Sequence, residues 1–478
     1  MKKPYLAAIR SATSRAVRRI GTWLQGRMPV GITLMMLAVA TGTLAGVAAW
    51  ALKYTIGHLA RCTMHFAQTD GPNWFMAVVP LIGIMLAVCY QHFIVHESLE
   101  HGTNRVRRDL ASRQYYMRRS LCYQPLLASM LTLGFGGSAG AEGPIATAGA
   151  AIGSNVGRIF NVSPDMVRIL IGCGAGAGIA GIFKSPVGGA LFTLEVLRMK
   201  YDTMSVLALI IASICGSLTC YMLTDFSFDV LFLPASFFDP RSLGWVVLLG
   251  IFCGAYSVYY SKITDMLHRF FSGIRSVWLR GIAGGAILGL CIFMFPAMYG
   301  EGYGVVTQLV NDETFRFVQA GLFAGLEPSA LLFIILAAGV LLLKVFATIA
   351  TNSSGGVAGD FAPTIFAGAF AGLFFAWSIN YTLHIGLSVP LFCLFGMAGV
   401  FAGIIHAPLM AIFLVAEMVG NGYGFFLPLT VTAAFSYLTV KLITPASRYR
   451  GADHDDLAAL LHTSKSAADT PSPPRKPD

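Results

Sequence analysis

The chain has 478 residues, 56% of them hydrophobic and only 12% charged, with a formal net charge of +10. That leaves too little polar surface to coat a water-soluble body of this size, so the composition specifies an integral membrane protein. The basic excess does not point to nucleic acid, because it sits in short segments between apolar runs and carries no zinc, homeodomain or RNA-binding pattern.

Residues 1–28 bring Lys2, Lys3, Arg10, Arg15, Arg18, Arg19 and Arg27 before any acidic residue. The positive-inside rule places this segment in the cytoplasm, and the absence of a small-residue cleavage site argues against a signal peptide. An amphipathic helix on the inner leaflet is expected. A transport domain is expected over 29–451, in two halves of about 30–224 and 243–451. Uncharged runs at 30–52, 73–95, 205–224, 242–261 and 281–300 are each long enough to cross a hydrocarbon core, which takes about 20 residues. They are continuous rather than alternating, which excludes a barrel. The 52 glycines cluster in these spans, where they permit close helix packing and broken helices. The nine cysteines have no metal-ligand or CxxC spacing and read as small buried hydrophobes; no metal or cofactor is expected.

Two loops place an acid just before a proline at the mouth of an apolar helix: Gly137-Ser138-Ala139-Gly140-Ala141-Glu142-Gly143-Pro144 and Gly355-Gly356-Val357-Ala358-Gly359-Asp360-Phe361-Ala362-Pro363. Further on, Ser185-Pro186 precedes Glu195 as Ala407-Pro408 precedes Glu417. Helix N-termini carry unpaired N–H groups and about +0.5 charge each, so a membrane protein that repeats glycine-bracketed helix starts is expected to build an anion site from them. Pro144 suits a first helical turn, and Gly140 and Gly143 are expected to leave flanking amides open to a ligand. Glu142 then lies in the field that attracts a free anion. Deprotonated, it blocks the path; protonated, it releases it.

Basic segments recur at 105–119, at Arg198 with Lys200, at 262–280 and at 441–450, while 225–241 and 301–327 have an acidic balance. The first set is expected in the cytoplasm and the second outside. Glu195 then lies near the cytoplasmic face and Glu417 near the outer one, so the halves form an inverted repeat with a site near the midplane. His406 reads as a packed histidine rather than a proton relay. The polar segment 452–478 is expected to be a disordered cytoplasmic tail. Two other classes fit the sequence less well. Gly136-Gly137-Ser138-Ala139-Gly140 matches the G-x-S-x-G turn of serine hydrolases, which requires a preceding strand. A cation transporter with Glu142 as ligand conflicts with the helix-start field.

The chain resembles the CLC family of chloride channels and chloride/proton antiporters over roughly 30–450. Gly140-Ala141-Glu142-Gly143-Pro144 is similar to the family's G-(K/R)-E-G-P motif, with Glu142 on its gating glutamate. Gly359-Asp360-Phe361-Ala362-Pro363 resembles G-x-F-x-P, whose amides coordinate the central anion, and Tyr449 stands at the spacing of the family's anion-binding tyrosine. The resemblance implies an all-α polytopic bundle of tilted and broken helices, homodimeric with one pore per subunit. Departures are three. Gly102-Thr103-Asn104 matches the G-S-G-I-P loop only loosely, with Thr103 as a candidate hydroxyl ligand. Val196, beside Glu195, stands where many antiporters carry a proton-transfer glutamate, and Glu195 itself reads as structural. Asp360 replaces an apolar residue and is expected to cap its helix, tuning anion affinity; Phe361 is expected to be both core aromatic and constriction. The implied function is transport of chloride or similar small monovalent anions in a bacterial inner membrane, both termini cytoplasmic. An antiporter gated by Glu142 is preferred over a passive voltage- or pH-gated channel. No enzymatic activity is expected.

Overall fold

A computed structural model describes residues 27–65, 74–97, 99, 103–111, 115–199, 202–224, 238–311, 321–323 and 329–444. Most of the N-terminal basic segment, Tyr449 and the tail at 452–478 lie outside these residues. The first half runs through α1 (Val30–His65), α2 (Trp74–Tyr90), α3 (Asn104–Ala111), α4 (Gln124–Gly134), α5 (Glu142–Ile159), α6 (Pro164–Phe183), α7 (Pro186–Leu191) and α8 (Thr203–Leu223). The second runs through α9 (Leu243–Ser272), α10 (Val277–Met294), α11 (Tyr303–Val310), α12 (Ala330–Ser353), α13 (Phe361–Leu383), α14 (Val389–Ile405), α15 (Pro408–Glu417) and α16 (Phe426–Ile443). Among the described residues nine helices are long and apolar enough to cross a membrane.

Hydropathy located the spans but shortened several. The run at 30–52 belongs to a helix of 36 residues that continues to His65, and the run at 242–261 to one of 30 residues that ends at Ser272. At about 1.5 Å per residue both exceed the thickness of a hydrocarbon core of about 30 Å, so they tilt or project beyond it. Backbone hydrogen bonding continues past the last apolar residue because no proline interrupts it. The run at 281–300 behaves oppositely. Its helix stops at Met294, where Phe295-Pro296 breaks the chain into a short 3-10 turn.

The segments from α4 to α7 and from α12 to α15 are the same plan used twice. Gly136 and Gly355 occupy equivalent places after α4 and α12, with φ of +93° and +110° that only glycine adopts readily. The next pair of helices then packs backbone to backbone. A Cβ on Gly149 of α5 would stand 2.1 Å from the carbonyl oxygen of Gly174 in α6, and one on Gly368 of α13 would stand 2.5 Å from that of Gly396 in α14. Neither oxygen can retreat, so these crossings require glycine. Both α6 and α14 end on a left-handed residue, Lys184 and His406, before Ser185-Pro186 and Ala407-Pro408 start the next helix. His406 is therefore not the packed residue expected from its apolar context. It terminates a helix, is exposed, and turns its ring toward Tyr437, 6.3 Å between centroids.

Candidate functional site

The two signature loops meet in the middle of the molecule. The Gly140 N–H donates to the Gly359 carbonyl at 2.9 Å and the Gly359 N–H donates to the Gly140 carbonyl at 2.6 Å, an antiparallel bridge between the halves. Each loop is braced by the helix that leads into the other. Thr351 Oγ1 accepts from the Ser138 N–H, and Thr132 Oγ1 accepts from the Val357 N–H, both at 3.1 Å.

This clasp corrects one expectation. Of the amides expected to stay open around Gly140 and Gly143, that of Gly140 is not open to a ligand but paired with Gly359, since buried backbone groups brought this close leave a large penalty if unmatched. Glycine is still required at Gly359, and at Gly140 it leaves room for the Glu142 carboxylate. A Cβ on Gly359 would stand 2.8 Å from the Gly143 nitrogen, and one on Gly140 would stand 1.9 Å from Glu142 Oε2.

Glu142 opens α5 and is fully buried. Its Oε1 accepts from the Ala362 N–H at 3.0 Å, whereas its Oε2 is buried without a hydrogen-bond partner. Ala362 is the second residue of α13. The carboxylate that begins one half-helix therefore occupies an orphan amide at the start of the other, where both dipoles favour negative charge. Pro144 and Pro363 both fall in the first turns of these helices. Phe361 is 6% exposed and presents its ring edge-on to Phe192 and Phe401, at centroid distances of 5.9 and 5.1 Å.

Charged groups that the motifs do not contain surround this pair. The Ala141 N–H donates to Glu301 Oε1 at 3.2 Å, and Lys53 Nζ donates to Glu301 Oε2 at 2.8 Å. Lys53 Nζ also lies 4.6 Å from the centroid of Tyr303, which stands in the field of both Glu142 and Glu301. From α12, fully buried Lys344 donates to Ser138 Oγ at 2.8 Å and lies 4.3 Å from the Phe366 ring centroid. Ionisable groups at this depth are costly and are retained for a task. Lys344 was visible in sequence as the lone charge between Ala330 and Ser353. Lys53 and Glu301 carried no such signal, because nothing in the local pattern joins α1 to the turn before α11.

Other expected residues are placed differently. Asp360 stands at the N-cap position of α13 but makes no capping hydrogen bond. Its Oδ1 instead accepts from Asn352 Nδ2 at 2.6 Å, so the carboxylate turns toward α12 rather than the helix start. The first-turn amide at Ala362 already has Glu142, which removes the reason for Asp360 to cap. Glu195 accepts from the Leu409 and Met410 amides at 3.2 and 2.7 Å, a structural engagement at the start of α15. Val196 beside it is half-buried at the end of a π-turn. Thr103 precedes α3, its carbonyl accepting from the Arg107 N–H at 3.1 Å, and is not part of the hydrogen-bonded clasp. Ser138 follows a helix, α4, and not the strand that a nucleophile elbow requires. The arrangement sets the Glu142 carboxylate on the Ala362 amide at the start of the other half's helix.

A family model described as voltage gated chloride channel matches residues 82–441. The chain is similar to a ClcB-like chloride channel protein of Ralstonia nicotianae, 30% identical over 417 residues covering 81% of this chain and 88% of that protein. It is similar also to the H(+)/Cl(-) exchange transporter ClcA of Vibrio campbellii, 23% identical with 88% of each covered. Among solved structures, a slow cyanobacterial Cl-/H+ antiporter superposes with a TM-score of 0.73 at 21% identity, over 90% of this chain and 97% of that one. A CLC-type fluoride/proton antiporter does so with a TM-score of 0.70 at 22% identity, over 86% and 95%. Motifs, inverted repeat and likeness agree: the chain belongs to the CLC family of voltage gated chloride channels and chloride transporters.

Proposed function

We propose that this protein exchanges chloride for protons, with the Glu142 side chain serving both as the gate of the anion path and as the proton carrier. The observation that carries this reading is the bond from the Ala362 N–H to Glu142 Oε1, made inside a fully buried site. A carboxylate in that place competes with a halide for the same amide. Protonation cancels its charge, weakens its hold on the helix-start field and frees the seat. The Phe361 amide, the Thr103 hydroxyl and the Tyr449 hydroxyl are proposed as the inner anion contacts. Gly143 and Pro144 shape the outer helix start, with the Gly140–Gly359 clasp holding it against α13.

The ClcA relative and the cyanobacterial neighbour, both named as exchangers, support this reading. Val196 favours the alternative, a passive voltage- or pH-gated chloride channel, since an apolar side chain relays no proton. Reconstituted vesicles decide between them. The exchanger predicts that an imposed chloride gradient drives protons uphill, and chloride flux with no proton movement rejects it. We further propose a homodimer with one path per subunit, seated through the apolar faces that Ile210, Ile214, Leu409 and Leu438 expose, in a bacterial inner membrane with both termini cytoplasmic.

A further inference from the structure

The Asp360 carboxylate is unexplained by the clasp. It is half-buried, faces away from the helix it precedes, and is held by Asn352, itself 2% exposed. Opposite it runs one face of α9, on which Tyr260, Thr264 and His268 recur one turn apart. His268 lies within electrostatic reach of Asp360, Asp360 within that of Tyr260, and the Tyr260 hydroxyl stands beside Thr348. His268 is exposed at the basic end of α9, and its Nδ1 shares a hydrogen bond of 2.8 Å with the Ser353 hydroxyl. Between exposed imidazole and enclosed carboxylate, Thr264 Oγ1 and Asn352 Oδ1 are buried with no partner in the protein. Buried polar oxygens of this kind are normally satisfied by water. The face of α9 is thus a polar track from the surface to Asp360.

The track ends at Asp360, and the backbone on either side of that residue touches the gate. Glu142 Oε1 is bonded to the Ala362 amide and a Cβ on Gly359 would lie 2.9 Å from Glu142 Oε2, so the gating carboxylate rests against residues on both sides of Asp360. We propose that His268 and Asp360 form an inner proton route to Glu142. This inference rests on the exchanger reading above. His268 takes a proton from bulk water as imidazolium and returns to neutral imidazole on passing it through hydroxyls and water to the Asp360 carboxylate. The resulting carboxylic acid turns from Asn352, releases the proton through water past the Gly359–Ala362 backbone to Glu142, and is restored as carboxylate. The titratable groups facing Asp360 are Tyr260 and His268 from α9; Glu142 of α5 meets only the neighbouring backbone, and Lys344 of α12 is engaged with Ser138. None of the others joins the surface to the site.

The test measures protons moved per chloride in vesicles reconstituted with the full chain under an imposed chloride gradient. His268→Gln is expected to lower this ratio about tenfold, and His268→Glu, which restores an exchangeable proton, to recover most of it. A merely structural histidine would not be rescued by a carboxylate. Asp360→Asn, should His268→Gln fail to fold, is expected to lower the ratio in the same way. An unchanged ratio in both variants overturns this route while leaving the exchanger intact. Chloride flux without protons in the unmutated protein overturns the route and the exchanger together.

Discussion

Glu195 and Glu417 cap each other's helices. Glu195 ends the segment that starts at Pro186 and accepts from the Leu409 and Met410 amides at the start of α15. Glu417 ends α15 and accepts from the Val187 and Gly188 amides at 3.1 and 3.0 Å, and from the Ser185 hydroxyl, at the start of α7. The two short helices therefore lie antiparallel, each anion on the other's positive end. Repeated signatures in the sequence become a reciprocal pair in space, as an inverted repeat requires.

This pairing predicts a structural role for Glu195 with no part in proton movement. Glu195→Gln should lower stability by about 1 kcal/mol, the typical value of a lost charge-assisted cap, measured by thermal unfolding in detergent. Protons moved per chloride should not change. A fall in that ratio with normal stability would show that the carboxylate relays protons.

Gly140→Ala should displace the gate rather than the fold. The added Cβ meets the end of the Glu142 side chain, which can swing, and not backbone, which cannot. Expected are faster chloride flux, fewer protons per chloride and near-normal thermal stability. Gly149→Ala, whose Cβ meets the Gly174 carbonyl, should instead destabilise by about 1–3 kcal/mol, the usual cost of overpacking. Equal losses of stability in both variants would contradict this account of the loop.

Lys53 should offset the charge of Glu301 at the mouth of the gate. Ala141 stands where the family motif carries a basic residue, and the Lys53–Glu301 pair is bonded to its amide, with side chains 29% and 11% exposed. Lys53→Met leaves a carboxylate facing incoming anions and should slow chloride flux, most at low ionic strength. Adding Glu301→Gln should recover much of the loss. Additive effects in this double-mutant cycle would mean that the two side chains act separately.

Lys344 should contribute to anion affinity through its buried charge. Lys344→Met is expected to weaken chloride binding about tenfold by calorimetry, about 1.4 kcal/mol. Ser138→Ala, which removes only the hydroxyl acceptor, should weaken it less. Equal chloride affinity in Lys344→Met and unmutated protein would contradict the assignment.

The paired loops were legible because their chemistry is local: glycines, an acid and a proline at fixed spacing announce a helix start wherever they occur. Glu142, Pro144, Phe361 and Pro363 were placed at helix starts in this way, where the fold has them. The partners of those loops were not legible, since Lys53, Glu301 and Lys344 reach the site from segments far away in sequence. Spacing also cannot say which amides a fold leaves open. The amide of Gly140 was expected to be open to a ligand until the halves came together and paired it with Gly359. Asp360 likewise stood at an N-cap position, but the amide a cap would serve was taken by a residue from the other half. Helix extents at His65 and Ser272 were missed for a further reason: hydropathy marks where a bilayer would begin and end, whereas helices follow their hydrogen bonds.

The most direct test is a crystal structure of the Glu142→Ala protein grown with bromide. If the carboxylate occupies an anion seat, an anomalous bromide peak will stand within hydrogen-bond distance of the Ala362 nitrogen. Ordered water or side chain at that amide, with bromide bound elsewhere or not at all, would contradict the claim that gate and anion compete for one place.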